Sequence, residues 1–307
     1  MCVFLNLCIF VLEKTLNQKL TIMRNDNNNT DNSRLKEVIA IVNNKGGVGK
    51  STTAVCLASA LHRRNYHWRI LVIDLDSQCN ATDLLRNNGE SEFQTTIYDA
   101  LNTHQPLPVY PSKVKSGASG CGVFLCPGHK FMAQIDTALR MQRPAEKVLL
   151  RCFANDIRDY SDCNLPSDIA EAFDYVLIDC PPALGDITFN AMMVADSVIF
   201  PCEAERLSID ALSKSITAFS ECKQNLKPEL RFKGILLTKV DERNTVTREY
   251  IKYVREQYGD SVFQTVIRLT AKCKEAQGLD RDLYDYAPKC NTAIDYEALA
   301  KELTSNH

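Results

Sequence analysis

The sequence lacks a charge excess, a CxxC cysteine pair and, beyond its first residues, any long apolar run. Its 36 Lys and Arg balance 38 Asp and Glu, for a formal charge of −2. This balance excludes a uniformly basic nucleic-acid coat, so any contact with DNA must come from a local patch. Apolar residues make up 45% and charged residues 24%. Those values exclude disordered and collagen-like chains and are typical of a globular protein.

The chain has 13 cysteines, but they are not paired at the spacing of metal ligands. Cys121 and Cys126 come nearest to such a pair, and they flank a short apolar run. Most other cysteines stand singly in helical or strand-like stretches, which is typical of buried free thiols. The pattern therefore predicts a reduced, cytoplasmic protein.

The first residues differ in composition from the rest of the chain. Met1–Leu12 is apolar, but it is shorter than the roughly 20 residues that span a bilayer and lacks the features of a signal peptide. An Asn/Asp-rich stretch, Asn25–Ser33, follows it. We predict that residues 1–35 are an N-terminal extension that is disordered or lies outside the fold, and that residues 36–307 form the folded domain.

From Val38 onward, short β-branched runs alternate with longer helical patterns. Continuous apolar runs of this length indicate parallel strands that are buried on both faces. The predicted strands are Val38–Asn43, Arg69–Asp74, Val123–Cys126, Tyr175–Asp179, Ser197–Pro201, Phe232–Thr238 and Gln264–Ile267. The predicted fold is α/β: a doubly wound, mostly parallel twisted sheet with helices on both faces.

One stretch interrupts this alternation, between Gly89 and Cys121. It is rich in turn residues, including Pro106, Pro108 and Pro111. Prolines and glycines at this density favour loops over regular elements. We predict a surface excursion and not a linker between domains.

A glycine-rich segment, Asn44–Ser51, follows the first predicted strand and precedes a helical pattern at Thr52–Leu61. Glycines let backbone N–H groups converge on phosphate oxygens, and a helix N-terminus adds a positive end. Lys50 would reach the β- and γ-phosphates, and the Ser51 hydroxyl would bind Mg²⁺. This predicts a P-loop NTPase. The predicted nucleotide-binding residues are Lys45, Gly46, Gly47, Val48, Gly49, Lys50, Ser51 and Thr52.

Acidic residues end two of the predicted strands. Asp74 and Asp76 follow one apolar run and would share a face, and Asp179 ends another before a proline pair. Carboxyl ends of parallel strands meet at the crevice where ligands bind. An acid at this place can hold the metal through water in a phosphate-loop enzyme.

The loop K-G-G-V-G-K-S, the segment D-L-D-S-Q and the segment D-C-P-P together resemble the ParA/MinD family of ATPases. The resemblance runs from about Val38 to Leu303 and implies ATP and Mg²⁺ as cofactors and an ATP-dependent sandwich homodimer. In such a dimer Lys45 would reach the partner's nucleotide. It also implies that Asp76 positions the attacking water, that Asp74 supports the Mg²⁺ shell and that Asp179 is the metal-side carboxylate.

The catalytic residues that follow from this resemblance are Lys45, Lys50 and Asp76, and the metal residues are Ser51, Asp74 and Asp179. The chain departs from the family's pattern in the switch loop, where Ser77 replaces a proline and Cys79 a glycine.

The segment Thr238–Asp241 lies where this class of proteins reads the base. GTP-binding relatives have a similar N-K-x-D, and here the asparagine is missing, which favours adenine. Residues 267–276 match the family's adenine-side loop, with Arg268 in place of its usual proline.

Basic residues concentrate between Lys223 and Lys274, where 12 Lys and Arg face six Asp and Glu. A surplus of this kind could neutralise DNA phosphates without reading sequence, although a solvated helical face has the same composition. The resemblance implies that Arg243 and Lys272 bind non-specific DNA.

Together these features predict a DNA-partitioning ATPase of ParA type, chromosomal or plasmid-borne. Its ATP dimer would bind DNA, and a ParB-like centromere-binding protein would stimulate hydrolysis. We expect it in the cytoplasm, associated with the nucleoid. An alternative is a MinD-like membrane-surface ATPase. The C-terminal stretch 291–307 has more acidic than basic residues, which argues against a basic membrane helix and favours a helix docked on the domain.

Two further alternatives share this broad fold. A bacterial tyrosine kinase is suggested by Tyr284, Tyr286 and Tyr296, although packing explains these residues more simply. A reductase similar to the nitrogenase iron protein would need paired cysteine ligands, and no candidates stand out in the sequence.

Overall fold

In the computed structural model of the protein, the described residues are 33–87, 92–114, 122–161 and 163–305. Most of the predicted extension 1–35 thus lies outside the described residues. Its last residues touch the domain, because the amides of Arg34 and Leu35 both donate to the Ala170 carbonyl, at 2.8 and 3.0 Å. The boundary at residue 36 stays a prediction.

The described residues form one eight-stranded sheet with the strand order β5-β3-β4-β2-β6-β1-β7-β8. All neighbouring strands are parallel except β3 and β4, which are antiparallel. The strands are β1 Glu37–Ile41, β2 Ile70–Asp74, β3 Pro108–Pro111, β4 Val123–Cys126, β5 Arg158–Asp159, β6 Tyr175–Asp179, β7 Ser197–Glu203 and β8 Arg231–Thr238. The predicted doubly wound, mostly parallel sheet is confirmed.

Helices cover both faces of this sheet. The α-helices are α1 Lys50–Arg64, α2 Asn80–Leu85, α3 Ile97–Thr103, α4 Ile135–Arg140, α5 Val148–Ala154, α6 Ile169–Ala172, α7 Asp186–Val194, α8 Arg206–Asn225, α9 Thr245–Tyr258, α10 Ala271–Gly278, α11 Leu283–Tyr286 and α12 Asn291–Thr304. Short 3₁₀ helices lie at Lys130–Gln134, Ala145–Lys147 and Gly259–Ser261.

Strand β1 shows how the sequence builds the two core layers. Val38 and Ala40 face one layer, with residues of α5, α7 and α8, whereas Ile39 and Ile41 face the other, with residues of α1 and α12. Side chains alternate between faces along a strand, so a strand buried on both sides must be apolar throughout. The continuous apolar runs therefore identified the central strands correctly.

The predicted strand Gln264–Ile267 is wrong. Isolated bridges pair Val262 with Ile235 of β8 and Arg268 with Val240, which follows β8, and no continuous strand of the described residues joins them. The amides of Gln264 and Thr265 donate instead to the Glu302 carboxylate, at 2.7 and 2.9 Å. A side chain from α12 thus takes the backbone donors that a strand would need.

The prediction that Gly89–Cys121 is a surface excursion is also wrong for its described residues. This stretch contains α3 and the internal strand β3, and its Leu107 and Val109 are fully buried. Prolines stand at both ends of β3, where a missing amide is best tolerated. The prolines therefore delimit a strand in this chain.

The last helix, α12, packs against α1, as the prediction of a docked C-terminal helix requires. Its Tyr296, Leu299 and Leu303 are buried in the core layer that α1 helps to form. Among the helices of the described residues, none combines the length and apolar character needed to cross a bilayer.

Candidate nucleotide site

The glycine-rich loop connects β1 to α1 at the carboxyl end of the sheet, as predicted. Gly47 and Gly49 have φ angles of 80° and 93°, in the left-handed region that glycine adopts at little cost. Gly49 is also the N-cap of α1 and supplies no side-chain cap, and no acidic residue stands in the first helical turn. The first amides of α1 are thus available to an anion.

Residues at the end of β8 hold this loop from the side. The Thr238 hydroxyl donates to the Val48 carbonyl at 2.8 Å, and the Lys239 ammonium donates to the Gly47 carbonyl and pairs with Glu203. Sequence reasoning placed Thr238 and Lys239 at the base and missed their contact with the loop. A lysine this close to a phosphate loop also adds positive charge there.

Lys50 is buried at the start of α1, and its ammonium donates to the Lys45 carbonyl at 3.0 Å. Burial lowers the pKa of Lys50, and the negative charges of Asp179 and Asp76 oppose that effect. A desolvated ammonium facing two carboxylates is well placed to bind a phosphate oxygen.

Lys45 points away from the cradle of its own loop. Its ammonium contacts the Glu205 carboxylate and donates to the Ser208 hydroxyl at 2.9 Å, at the start of α8. Its backbone amide is held by the Asn43 side chain at 2.8 Å. The sequence did not reveal these contacts of Lys45, since Glu205 and Ser208 lie 160 residues or more along the chain.

Asp74 and Asp76 have different environments, although both are buried. Asp74 accepts hydrogen bonds from the Asp76 amide at 3.0 Å and from the amide and hydroxyl of Thr82 at 2.8 and 2.7 Å. Burial raises the pKa of Asp74 to about 6, and the Thr82 hydrogen bonds oppose the rise. Asp74 thus orients the turn that carries Asp76, and its predicted support of the Mg²⁺ shell stays a prediction.

The loop that follows β2, residues 75–79, has Cys79 where the family has a glycine. Cys79 has a φ of 53° and is the N-cap of α2. This is the left-handed conformation that glycine would favour. Asp76 accepts a hydrogen bond from the Gln78 amide at 3.0 Å and lines the cavity in front of the loop.

Asp179 ends β6 and is fully buried, yet neither of its carboxylate oxygens has a well-formed hydrogen bond. Burial raises the pKa of Asp179 well above its usual range, and the negative charge of Asp74 adds to the rise. The nearby Ser51 hydroxyl and Lys50 ammonium oppose it. Buried polar groups normally have partners, so an unpartnered carboxylate beside a hydroxyl fits a hard cation that binds through oxygen.

A cavity of about 620 Å³ opens in front of the loop, a size that suits a small organic ligand. The phosphate loop and Asp76 line one end, and the other end is lined by Arg268, Leu269, Thr270, Cys273 and Gln277. The Arg268 guanidinium pairs with Asp295 of α12 at 2.6 Å. The predicted phosphate loop and the predicted adenine-side loop, residues 267–276, therefore line the same cavity.

Two of the three tyrosines that suggested a kinase are packing residues, and the third, Tyr286, is half-buried and donates to the Glu275 carboxylate at 2.7 Å. Tyr284 and Tyr296 are buried, and their hydroxyls contact the Ala293 carbonyl and the Thr53 hydroxyl at 3.2 and 3.0 Å. Burial raises the pKa of both well above the usual value.

The described residues contain no cluster of three or more His, Cys, Asp or Glu arranged to hold a metal ion.

The two residues predicted to bind DNA are exposed and lie outside the cavity. The Arg243 side chain is 91% exposed and pairs with Asp241 at 2.9 Å. Lys272, in α10, is 52% exposed and pairs with Glu275 at 2.7 Å. The structure does not bring them into the nucleotide site, which is consistent with a separate surface role.

Comparison with known proteins gives a family for this site. Residues 36–232 match the sequence model of the AAA domain family AAA_31. The chain is 34% identical over 268 residues to the chromosome partitioning protein ParA of Caulobacter vibrioides, covering 87% of this chain and 94% of that protein. It is 30% identical over 282 residues to the sporulation initiation inhibitor protein Soj of Bacillus subtilis, covering 88% and 99%.

Among solved structures, the fold resembles cobyrinic acid a,c-diamide synthase from Mycobacterium smegmatis with bound ADP and magnesium. The TM-score is 0.68 at 26% sequence identity, over 89% of this chain and 97% of that one. Residues 36–232, which match the AAA domain family model, include both the phosphate loop and strand β6, which ends at Asp179. The chain therefore belongs to the ParA/MinD family of P-loop ATPases, enzymes that use ATP with magnesium.

Proposed function

We propose that this protein is a DNA-partitioning ATPase whose ATP-bound form is a sandwich homodimer. The observation that carries the proposal is the direction of Lys45. Its side chain does not point into the phosphate loop of its own subunit, where Lys50 lies, and extends instead to the start of α8. A lysine placed in this way can exchange its carboxylate partner for a phosphate held by a second subunit. The similarity to partitioning proteins over nearly the whole chain supports the same reading.

The hydrolytic step that we propose transfers the γ-phosphoryl group to water. Positioning and charge stabilisation account for most catalysis of this kind. Lys50 and the N-terminus of α1 would bind the phosphates, and Asp76 would orient the attacking water. Ser51 and Asp179 would hold Mg²⁺, which offsets phosphate charge when it is bound. Asp74 keeps Asp76 in place through the turn that it organises.

Release of DNA would follow from the same chemistry. The nucleotide contributes contacts that exist only in the dimer, so hydrolysis removes the difference in free energy that favours the paired state. We propose that a ParB-like centromere-binding protein stimulates this step.

The DNA surface that we propose is smaller than the basic surplus between residues 223 and 274. Lys227 is buried and donates to the Met193 and Ala195 carbonyls. Arg231 and Lys233 pair with Glu37. These side chains serve the fold, which leaves exposed residues such as Arg243 and Lys272 to contact phosphates. Each would exchange its neighbouring carboxylate for a phosphate oxygen.

A MinD-like membrane role is the alternative, and α12 argues against it. The apolar residues of this helix pack against α1, and Asp295 pairs with Arg268. A membrane-binding helix needs an apolar face free to enter the lipid interface. In this chain that face is part of the core.

The decisive experiment is a titration of non-specific duplex DNA with the protein in ATP, in ADP and without nucleotide, at fixed salt. We expect tight binding in ATP alone. Equal affinity in all three conditions would contradict nucleotide-gated DNA binding. Co-sedimentation with anionic lipid vesicles in ATP provides the opposing test, and binding to vesicles but not to DNA would favour the MinD-like role.

A further inference from the structure

Two cysteine thiols meet beside the nucleotide cavity, on helices far apart in sequence. Cys56 lies in α1, the helix that begins at the phosphate loop, and it is buried. Cys273 lies in the first turn of α10, is half-buried and lines the cavity. Thr52 and Cys56 share one face of α1, and Cys273 and Gln277 share one face of α10, because residues four apart are neighbours on a helix surface. The Gln277 side chain donates to the Thr52 hydroxyl at 3.2 Å, so these two faces meet and bring Cys273 beside Cys56. Both belong to the core layer shared by α1 and α12.

The environments of the two thiols differ in a way that assigns each a chemical role. Cys273 faces the cavity near the N-terminus of its helix, where a thiolate is stabilised. Interaction with Cys56 lowers the pKa of Cys273 from its usual value, although burial opposes the lowering. Interaction with Cys273 and burial raise the pKa of Cys56 well above its usual value. A partly exposed thiol next to a second cysteine is the arrangement found in redox-sensitive proteins.

We propose that Cys273 and Cys56 form a peroxide-reactive pair that closes to an intramolecular disulfide and thereby weakens nucleotide binding. The Cys273 thiolate attacks the O–O bond of a hydroperoxide and becomes a sulfenic acid, and the other oxygen takes a proton and leaves as an alcohol or water. The Cys56 sulfur then attacks the Cys273 sulfur. The hydroxyl leaves with the Cys56 proton as water, so two thiols have been oxidised and one peroxide reduced.

The disulfide would reach the nucleotide through Gln277. The Gln277 amide donates to the Cys273 sulfur at 3.8 Å and to the Thr52 hydroxyl at 3.2 Å. Thr52 is part of the predicted phosphate-binding segment. A disulfide draws the two sulfurs to about 2.0 Å, so the Cys273 sulfur must turn toward Cys56 and away from its present contact with Gln277. The contact that links Cys273 to Thr52 must then change.

Two other cysteines define what the test must distinguish. Cys290 is the N-cap of α12, is half-buried against the same core layer, and its charge affects the pKa of Cys56. It therefore competes with Cys273 for Cys56. Cys163 is half-buried against the opposite core layer, so it serves as a matched control.

The first experiment uses the full chain without nucleotide, treated with hydrogen peroxide and then mapped by mass spectrometry without reduction. We expect a peptide pair that joins Cys56 to Cys273 and that dithiothreitol separates. Cys273→Ser should remove it, and Cys163→Ser should leave it unchanged. In Cys56→Ser, dimedone should label Cys273 as a sulfenic acid. A Cys56–Cys290 disulfide, or no disulfide at Cys273, would overturn the proposal.

The second experiment compares the Kd of Mg·ADP for reduced and peroxide-oxidised protein by calorimetry. We expect about tenfold weaker binding after oxidation, recovery with dithiothreitol and no change in Cys273→Ser. An unchanged Kd in the disulfide form would refute the coupling. This arm rests on the nucleotide site, whereas the peptide map does not, so the two can fail separately.

Discussion

Two buried carboxylates on neighbouring strands have opposite surroundings. Glu37, at the start of β1, accepts hydrogen bonds from Ser197 at 2.8 Å and Arg231 at 2.9 Å, and Lys233 contacts its other oxygen at 2.7 Å. Asp179, at the end of the adjacent β6, has no well-formed hydrogen bond. The amino edge of the sheet, where the parallel strands begin, thus satisfies its buried carboxylate within the fold. The carboxyl edge, where these strands end, leaves Asp179 without a hydrogen-bond partner among the described residues.

This contrast separates residues that stabilise the protein from residues that act on substrate. A buried charge without a partner costs stability, so a fold keeps one only where something else compensates. Nucleotide phosphates and a cation would compensate at the carboxyl edge. At the amino edge, Arg231 and Lys233 already compensate the charge of Glu37. Substitutions at the two edges should therefore change different measurements.

The largest effect should come from Lys50→Ala at the carboxyl edge. We expect ATP affinity to fall at least about a hundredfold, because a charged donor to phosphate is lost. Stability should change little, since burial already opposes the charge on Lys50. Calorimetry with Mg·ATP measures the first quantity and thermal unfolding the second. Lys36→Ala, at the amino edge, is the control, and equal ATP affinity in both variants would remove the role of Lys50.

Asp76→Ala should separate binding from hydrolysis. We expect turnover to fall about a hundredfold, which is the usual contribution of a group that positions a proton acceptor or water, while ATP is still bound. The variant should accumulate as an ATP-bound dimer that binds DNA. Phosphate release and sedimentation would measure the two properties. Asp83→Ala, at the cavity rim, controls for loss of negative charge, and normal turnover in Asp76→Ala would contradict its role.

The free energy of unfolding in urea, measured for variants of Glu37 and Asp179, tests the comparison directly. Glu37→Gln should destabilise the protein by about 2 to 3 kcal/mol, because it leaves two basic groups unpaired, although exposure of Arg231 reduces the cost. Asp179→Asn should stabilise the nucleotide-free protein by about 1 kcal/mol, because it removes the cost of burying a carboxyl group that lacks hydrogen-bond partners in the described part of the chain. Its Mg²⁺-dependent ATPase activity should nevertheless fall. Loss of stability in both variants would show that the two edges do not differ.

The smallest effect should come from Arg243→Glu, because Arg243 contacts neither Glu37 nor Asp179. We expect DNA affinity in ATP to fall about tenfold. The slope of log affinity against log salt concentration should become shallower by about one, which corresponds to the loss of one phosphate contact. ATPase activity without DNA should be unchanged. Arg158→Glu, on strand β5 at the far side of the sheet, is the matched control. If the two variants bind DNA equally well, Arg243 is only a solvated surface residue.

Much of the fold was predictable because the central strands are buried on both faces. Burial on both faces makes β2, β4, β6 and most of β1 continuous apolar runs, a pattern visible in sequence. One error fell where prolines at both ends of a strand were taken for loop residues, and the other fell where a side chain from a distant element decides backbone pairing. Glu302 takes the amides of Gln264 and Thr265, and neither local propensity nor periodicity contains that information.

The candidate site shows the same division. Chain order alone places a glycine-rich turn between β1 and α1, and the acid at the end of β6 follows from the strand pattern. The partners of Lys45 and the contacts of Thr238 and Lys239 with the loop were not predictable. They join segments separated by 160 to 192 residues, and no local pattern encodes such a pairing.

The sequence by itself determined strands β1, β2, β4, β6, β7 and β8, the phosphate loop and the acidic strand ends. Periodicity and turn chemistry act over a few residues, so a linear reading detects them. Only the tertiary structure decided that Glu37 is neutralised and Asp179 is not, that Lys45 turns to Glu205, and that Cys56 meets Cys273. Burial and electrostatic partnership depend on which surfaces the folded chain brings together.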